Sequence, residues 1–169
     1  MRSITSMFGV LGTILATGLT VTTSYTTTIH QGNLELGDAI FFYDGSFYDD
    51  FPIQAQAGQT VEIELRSYDF DPFLAIVGPQ GEWLVHNNDI TPDNSHSALS
   101  FTFPNNGTYY IFVNTYSVAG QGSYVLELNQ LVTNPPGQNK NSVVFLTDSP
   151  PMPTPVFIQP TWSNLGEES

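Results

Sequence analysis

The 169-residue chain contains no cysteine, and its three basic residues stand against 16 acidic ones, which gives a formal charge of −13. The lack of cysteine excludes disulfides and thiolate metal sites, and the negative charge argues against nucleic acids and anionic membranes as partners. Charged residues make up only 11% of the chain and aromatic residues 13%. This balance favours one domain with an apolar core and a polar, uncharged surface, as in many exported β proteins.

The N-terminal segment has the features of a secretory signal peptide. Arg2 precedes the apolar residues 7–21, and small residues follow at 22–24. The apolar stretch is shorter than the ~20 residues of a membrane-spanning helix. We predict a signal peptide over residues 1–24 with cleavage near Ser24, export to the medium, periplasm or cell surface, and no stable membrane insertion afterwards. A retained membrane anchor is the alternative. Residues 25–32 are interpreted as a polar leader outside the fold.

From residue 33 onward the pattern predicts antiparallel strands. In residues 60–65, Val61, Ile63 and Leu65 alternate with polar residues and therefore point to one face. Turn signals recur about every 8–12 residues, which is typical of a sandwich or barrel. We predict one all-β, jelly-roll-like antiparallel β-sandwich of about eight strands over residues 33–130. The predicted strands are residues 39–43, 48–57, 60–65, 73–77, 83–86, 98–103, 108–114 and 123–129.

Two turns and one tail complete the predicted organisation. The Pro-Gln-Gly sequence at 79–81 predicts a hairpin between two short apolar runs. The Pro-Asn-Asn-Gly sequence at 104–107 predicts another, because Asn-Gly tolerates the positive φ angles of a type I′ turn. Alternation also places Ala57 on the core side of its strand. Prolines recur after residue 131, so residues 131–169 are predicted to be mostly disordered.

Polar side chains gather at the open end of the first predicted hairpin. Asp69 and Asp71 precede one strand, and Asn88 and Asp89 follow the next. Calcium prefers carboxylate, amide and carbonyl oxygens, so this set of four residues predicts a calcium site. In the alternative interpretation the same side chains cap turns by accepting hydrogen bonds from backbone amides.

The other candidate groups point less clearly to a site. Asp44, Asp49 and Asp50 are interpreted as a hydrated loop rather than a metal site. The histidines lack the spacing of zinc ligands, and no G-x-S-x-G motif supports a hydrolase built on Ser95 or Ser97. We therefore predict that the chain is not an enzyme. The histidines are His30, which falls in the predicted leader, His86 and His96.

Tyrosines offer a second kind of binding surface, because each combines an apolar ring with a polar hydroxyl. Tyr68, beside the acidic turn, and Tyr116, in a predicted loop, are expected to be exposed. They are the candidate ligand-binding residues for a polysaccharide or protein partner.

Short motifs over residues 33–129 together resemble the bacterial pre-peptidase C-terminal domain, PPC. The resemblance implies a jelly-roll-like sandwich without catalytic activity, usually attached to exported peptidases and related to calcium-dependent collagen-binding domains. Two departures stand out: Asn88 occupies a position where the family commonly has Asp, and the chain has no peptidase domain. The matching motifs are Leu-Gly-Asp at 36–38, Asp-Gly-Ser at 44–46, Ala-Gly-Gln-Thr-Val at 57–61, Asp-Phe-Asp-Pro-Phe-Leu at 69–74, Asn-Asn-Asp at 87–89, Gly-Thr-Tyr at 107–109 and Gly-Ser-Tyr at 122–124.

Composition and resemblance together predict an exported, non-catalytic binding or accessory module stabilised by calcium. The alternative is a structural or chaperone-like accessory to a separately encoded secreted enzyme.

Overall fold

A computed structural model describes the backbone of residues 4–16 and 19–134 and the side chains of residues 24–131. In this part of the chain, two five-stranded antiparallel sheets face each other, so the predicted all-β sandwich is confirmed. The described residues contain no helix of the length and apolarity needed to cross a membrane. The strands are β1 (Ile4–Ala16), β2 (Leu19–Leu34), β3 (Ala39–Ile40), β4 (Phe47–Ala55), β5 (Thr60–Arg66), β6 (Pro72–Val77), β7 (Trp83–Asn87), β8 (Ser97–Thr102), β9 (Gly107–Thr115) and β10 (Gly122–Asn134).

The strand order divides the chain between the two layers. The first sheet has the order β1-β2-β10-β5-β8, and the second has the order β3-β4-β9-β6-β7. All eight predicted strands are present as β3 to β10, although β3 is only two residues long. The two additional strands, β1 and β2, lie in the segment that the sequence assigned to a signal peptide and a leader.

The prediction of a leader outside the fold is wrong. Strand β2 pairs with β10 over thirteen positions, from Leu34 opposite Gly122 to Thr22 opposite Asn134. The segment is rich in threonine, whose β-branched side chain suits a half-buried strand. Its alternate side chains turn inward toward the facing sheet, so their burial depends on tertiary contacts rather than on local apolarity. The buried side chains are Thr26, Thr28, His30 and Leu34.

The predicted boundaries at both ends of the domain also change. Strand β10 continues to Asn134, four residues beyond the predicted end of the domain. The rest of the predicted disordered tail, residues 135–169, lies outside the described residues. Signal cleavage near Ser24 stays a prediction. Cleavage there would remove β1 and leave residues 24–34 of β2 paired with β10.

The apolar core lies between the two sheets and confirms the predicted alternation. Val61, Ile63 and Leu65 are buried on the inner face of β5, as predicted. Ala57 is exposed instead of facing the core, because β4 ends at Ala55 and the chain turns there. The largest fully buried side chains of this core are Tyr109, Phe103, Leu34, Ile53, Leu65, Leu74, Ile76, Ile111, Leu126, Val61 and Val113.

The predicted hairpin at 104–107 is wrong, because β8 lies in the first sheet and β9 in the second. Gly107 begins β9 and is not among the glycines with a positive φ angle. The Asn106 side chain accepts a hydrogen bond from the backbone N–H of Ala57, 2.8 Å away. The segment therefore crosses between the layers, and Asn106 joins it to a neighbouring turn.

The predicted hairpin at 79–81 is confirmed as the connection of β6 and β7. The Gly78 N–H donates to the Glu82 carbonyl at 2.8 Å, and Gly81 has a φ angle of 84°. A positive φ is strained for residues other than glycine. Because the two strands are antiparallel, the segment before β6 and the segment after β7 meet at the opposite end of the hairpin.

Candidate functional site

Four loops come together at one end of the sandwich, which we call the loop end: residues 35–46, 67–71, 88–96 and 116–121. The strand register places them there, because Leu34 pairs with Gly122 in the first sheet and Pro72 pairs with Thr115 in the second. Of the nine exposed large apolar side chains in residues 24–131, eight lie at this end. They are Leu36, Ile40, Phe42, Tyr43, Tyr68, Ile90, Tyr116 and Val118; the ninth is Leu131.

At the loop end, Asp71 and Asp89 form an acidic pair. The pKa of Asp71 is raised, first by burial of its carboxyl and then by the charge of Asp89. Asp71 Oδ1 is buried and has no hydrogen-bond partner among the described residues. Asn88 Nδ2 donates to Asp89 Oδ2 at 2.9 Å. Three of the four predicted metal ligands are thus at the meeting point of the two strand ends.

Asp69, the fourth predicted ligand, caps a turn. Its Oδ2 accepts hydrogen bonds from the backbone N–H of Ser123 at 2.8 Å and from the Ser123 hydroxyl at 2.6 Å. The hydroxyl, followed by the N–H, lowers the pKa of Asp69. Gly122 has a φ angle of 130°, and a Cβ at this position would collide with the Asp69 side chain. The carboxylate therefore holds the 67–71 loop against the start of β10.

The described side chains include no larger group of possible metal ligands. In residues 24–131, no group of three or more His, Asp or Glu side chains is placed to hold a metal ion. The three histidines lie in different parts of the sandwich, each beside another ring, which gives no zinc site. His30 lies against Phe51 in the core, His86 stacks on Phe73 on the outer face of the second sheet, and His96 meets Tyr68 at the loop end.

The interpretation of the second acidic group as a hydrated loop holds for Asp44, which is exposed in a turn, but is wrong for Asp49 and Asp50. Asp49 and Asp50 are consecutive residues of β4 and therefore point to opposite faces. Asp49 is buried and accepts a hydrogen bond from the Tyr124 hydroxyl across the sandwich. Asp50 lies on the outer face, on the same side of β4 as Tyr48. The pKa of Tyr48 is raised, first by burial of its own side chain and then by the charge of Asp50. Asp44 accepts from the N–H and hydroxyl of Ser46, so it caps a turn.

Of the two serines considered for a hydrolase, one is buried and the other is exposed. Ser97 is fully buried, and its hydroxyl donates to the Pro72 carbonyl at 2.7 Å. Because Ser97 begins β8 and Pro72 begins β6, this bond joins the two sheets beside the acidic pair. Ser95 is exposed in the neighbouring loop. The Ser97 hydroxyl is therefore a structural link between the layers.

Tyr68 and Tyr116 are exposed, as expected from the sequence. Their exposed fractions are 93% and 63%. The Tyr68 ring meets His96 edge to face at 5.2 Å, and the backbone N–H of Tyr116 donates to the Asp71 carbonyl at 2.8 Å. Tyr116 is therefore bonded through its backbone to Asp71 of the acidic pair, whereas Tyr68 contacts His96 in the neighbouring 88–96 loop. Binding of a ligand by these tyrosines stays a prediction.

The sequence interpretation missed an aromatic cluster on the outer face of the second sheet. Phe112, Tyr110 and Ala75 are buried there although they face away from the main core. The signal was present in residues 109–113, an unbroken apolar run in place of alternation, which indicates a strand covered on both faces. The half-buried members of the cluster are Phe41, Tyr48, Phe73 and Trp83.

Residues 47–115 match the family model of the bacterial pre-peptidase C-terminal domain. The resemblance to the PPC family is confirmed. The match runs from the first residue of β4 to the last residue of β9, so the PPC-type region contains Tyr68 and the acidic pair. Strands β2 and β10, which are central to the first sheet, lie outside the matched residues.

Two solved structures are similar to the chain. One is a periplasmic inhibitor of g-type lysozyme from Aeromonas hydrophila, which is 18% identical with a TM-score of 0.45; the match covers 62% of this chain and 85% of that one. The other is the pre-peptidase C-terminal domain of a collagenase from Bacillus anthracis, also 18% identical with a TM-score of 0.45; that match covers 60% of this chain and 88% of the other. No curated protein matches the chain.

Proposed function

We propose that the protein is an exported, non-catalytic accessory module of the PPC type that binds a polysaccharide or protein partner through its loop end. The observation that carries this proposal is the concentration of exposed apolar side chains in four loops at one end of the sandwich. Contiguous exposed apolar surface marks interaction sites in soluble proteins. Export is supported by the signal-like residues 1–24, and the accessory role by the match to the PPC family model.

Replacing Tyr68 and Tyr116 together by alanine is expected to weaken partner binding by about tenfold or more, because exposed aromatic side chains dominate many interfaces. The measurement is retention of the full-length chain on a panel of insoluble polysaccharides and immobilised proteins. Ser100→Ala, at an exposed position on β8, is the control and is expected to bind like the unmodified chain. The loop-end assignment is wrong if a ligand of the panel binds all three proteins equally.

Calcium is the second part of the proposal. The acidic pair supplies two carboxylates, and the unpartnered, buried Oδ1 of Asp71 is available to a cation. Asn88 and backbone carbonyls would complete the six to eight oxygens that calcium takes. Asp69 is engaged by Ser123, so the expected ligand set centres on Asp71, Asn88 and Asp89.

Asp71→Asn is expected to act in opposite directions with and without calcium. In chelator, the substitution removes a carboxylate whose pKa is raised by burial and by Asp89, so it stabilises the fold by less than about 1 kcal/mol. With calcium at one hundred times its dissociation constant, the unmodified chain gains about 2.7 kcal/mol, and the variant loses this gain. The measurement is thermal unfolding in both conditions, with Glu62→Gln as a control at an exposed site.

The pH dependence of folding stability in chelator tests whether the Asp71 carboxyl is destabilising when it is charged. Because the folded-state pKa of Asp71 lies above its unfolded value, the stability that its protonation contributes is present below the unfolded pKa. That stability is lost as the pH rises through the folded pKa. The stability difference between Asp71→Asn and the unmodified chain is therefore expected to shrink on mild acidification. An unchanged melting temperature on adding calcium to the unmodified chain would show that the acidic pair holds no calcium.

A further inference from the structure

Residues 35–44, between β2 and β4, form an exposed ridge at the loop end. The segment places four large apolar side chains in water within eight positions, and the exposed fraction reaches 85% for Leu36 and 64% for Phe42. The rings of Phe42 and Tyr43 lie 4.1 Å apart, so they present one aromatic surface. The apolar side chains of the ridge are Leu36, Ile40, Phe42 and Tyr43.

The ridge has a fixed backbone. The Asp38 N–H donates to the Glu35 carbonyl at 3.1 Å, and Asp38 Oδ2 accepts from the Glu35 N–H at 2.8 Å. In the following hairpin, the Phe41 N–H donates to the Ser46 carbonyl at 2.7 Å. The Phe41 ring anchors this hairpin on the outer aromatic cluster, 5.4 Å from the ring of Phe112. A surface held in this way loses little conformational entropy on binding.

Carboxylates alternate with the apolar side chains of the ridge. Glu35, Asp38 and Asp44 accept hydrogen bonds from neighbouring amide or hydroxyl groups, which leave their negative charge in place. Residues 4–134 contain thirteen acidic residues and a single basic one, Arg66, a formal charge of −12. Arg66 contacts Glu64 at 3.2 Å and Glu127 at 2.9 Å on the first sheet. The carboxylates of the ridge therefore have no Lys or Arg counter-ion within the described residues.

We propose that the ridge binds a cationic protein surface. Its apolar side chains would bury apolar groups of the partner, while Glu35, Asp38 and Asp44 pair with lysine or arginine side chains around them. This inference rests on the proposed binding function and names the chemistry of the partner. A neutral glycan has no charge to match these carboxylates, and an anionic polymer is repelled by them. Opposite charge also speeds association, and the effect falls with added salt.

The test uses the full-length chain and two synthetic peptides, one alternating lysine and leucine and one with glutamate in place of each lysine. Binding is measured by fluorescence anisotropy at low and high salt. We expect the lysine peptide to bind in a salt-sensitive manner and the glutamate peptide not to bind. Equal binding of both peptides would overturn the proposal, because the carboxylates would then play no part in recognition.

Variants separate the ridge from the general charge of the protein. The double variant Phe42→Ser with Tyr43→Ser keeps the charge and is expected to bind the lysine peptide about tenfold more weakly. Glu35→Gln with Asp44→Asn keeps oxygen acceptors for the turns and is expected to weaken binding several-fold. The matched control changes two carboxylates away from the ridge and is expected to bind nearly as well as the unmodified chain. It combines Glu62→Gln in β5 with Glu82→Gln in the β6–β7 turn.

Each outcome bears on one proposal. If the control lowers the affinity as much as the ridge variants do, the binding is unspecific attraction to an acidic protein and the ridge is not a docking site. If the lysine peptide does not bind but a polysaccharide is retained through Tyr68 and Tyr116, the loop-end function stands and the cationic partner is wrong. Thermal unfolding of every variant checks that the fold is unchanged. We expect it to be unchanged, because all the substituted side chains lie at least partly in water.

Discussion

A chain that begins at Asn33 is expected not to fold, whereas a chain that begins at Ser24 is expected to fold cooperatively. Strand β2 covers one side of β10, and the shorter chain loses eleven of the thirteen paired positions between them. It also loses the buried side chains of Thr26, Thr28 and His30. Unpaired, desolvated backbone groups on β10 are costly. The expected loss is comparable to the whole stability of a small domain, about 5–15 kcal/mol.

The measurement is far-ultraviolet circular dichroism with thermal unfolding of residues 24–169 and 33–169. The longer of the two chains is the matched control, because it also lacks β1 but retains residues 24–34 of β2 opposite β10. A cooperative transition in the chain that starts at Asn33 would show that β2 is dispensable, as the leader interpretation predicted.

Gly32→Ala is expected to destabilise the protein by about 2–5 kcal/mol, the sum of overpacking and a damaged buried hydrogen bond. Gly32 lies on β2 opposite Tyr124 of β10, and a Cβ at this position would overlap the Tyr124 ring. The ring cannot move aside freely, because its hydroxyl donates to the buried carboxylate of Asp49 in the other sheet. The glycine is therefore required by the bond that links the two layers.

Tyr124→Phe tests the hydrogen bond between the Tyr124 hydroxyl and Asp49. Removal of the hydroxyl takes a hydrogen bond from the buried Asp49 carboxylate, and the expected cost is about 1–3 kcal/mol. Denaturant unfolding provides both values, and Gln31→Ala, at an exposed neighbouring position, is expected to stay within about 0.5 kcal/mol of the unmodified chain. A stability of Gly32→Ala close to that of Gln31→Ala would contradict the proposed overlap.

The effects on stability of substitutions at Gly32 and at Tyr124 are also expected to be coupled. In the background of Tyr124→Ala the ring that a new methyl group would strike is absent, so Gly32→Ala should cost far less there than in the unmodified chain. Residues in direct contact commonly show such non-additivity. A full cost in both backgrounds would locate the effect of Gly32→Ala in the backbone rather than in its contact with Tyr124.

The loop end brings the proposals together, because the register of both sheets delivers the acidic pair, the exposed tyrosines and the ridge to one end of the sandwich. Calcium at the acidic pair would reduce the negative charge beside the tyrosines without touching the carboxylates of the ridge. Peptide binding in the presence of calcium and of chelator would therefore show whether the acidic pair also contributes to recognition of a cationic partner.

The sequence alone determined the type of fold and most of its strands. The alternation of Val61, Ile63 and Leu65 with polar residues is a local property, because successive side chains of any strand point to opposite faces. The β6–β7 hairpin was equally local, since its turn depends on Gly81 and a few neighbours. The antiparallel hairpin then required the segments around Asp71 and Asp89 to meet.

Tertiary structure decided which of the polar side chains are buried and which are engaged in hydrogen bonds. Asp69 and Asp71 are two residues apart and chemically identical, yet Ser123, 54 positions from Asp69, engages only Asp69. Asp49 is buried on the inner face of β4 and accepts a hydrogen bond from Tyr124, 75 positions away, while the next residue lies on the outer face. Strand β2 shows the same dependence, because its inward side chains are buried only when pairing with β10 places them against the facing sheet, as His30 lies against Phe51. Local patterns specify periodicity and turns, whereas burial and hydrogen bonding depend on partners that the chain brings from far along its length.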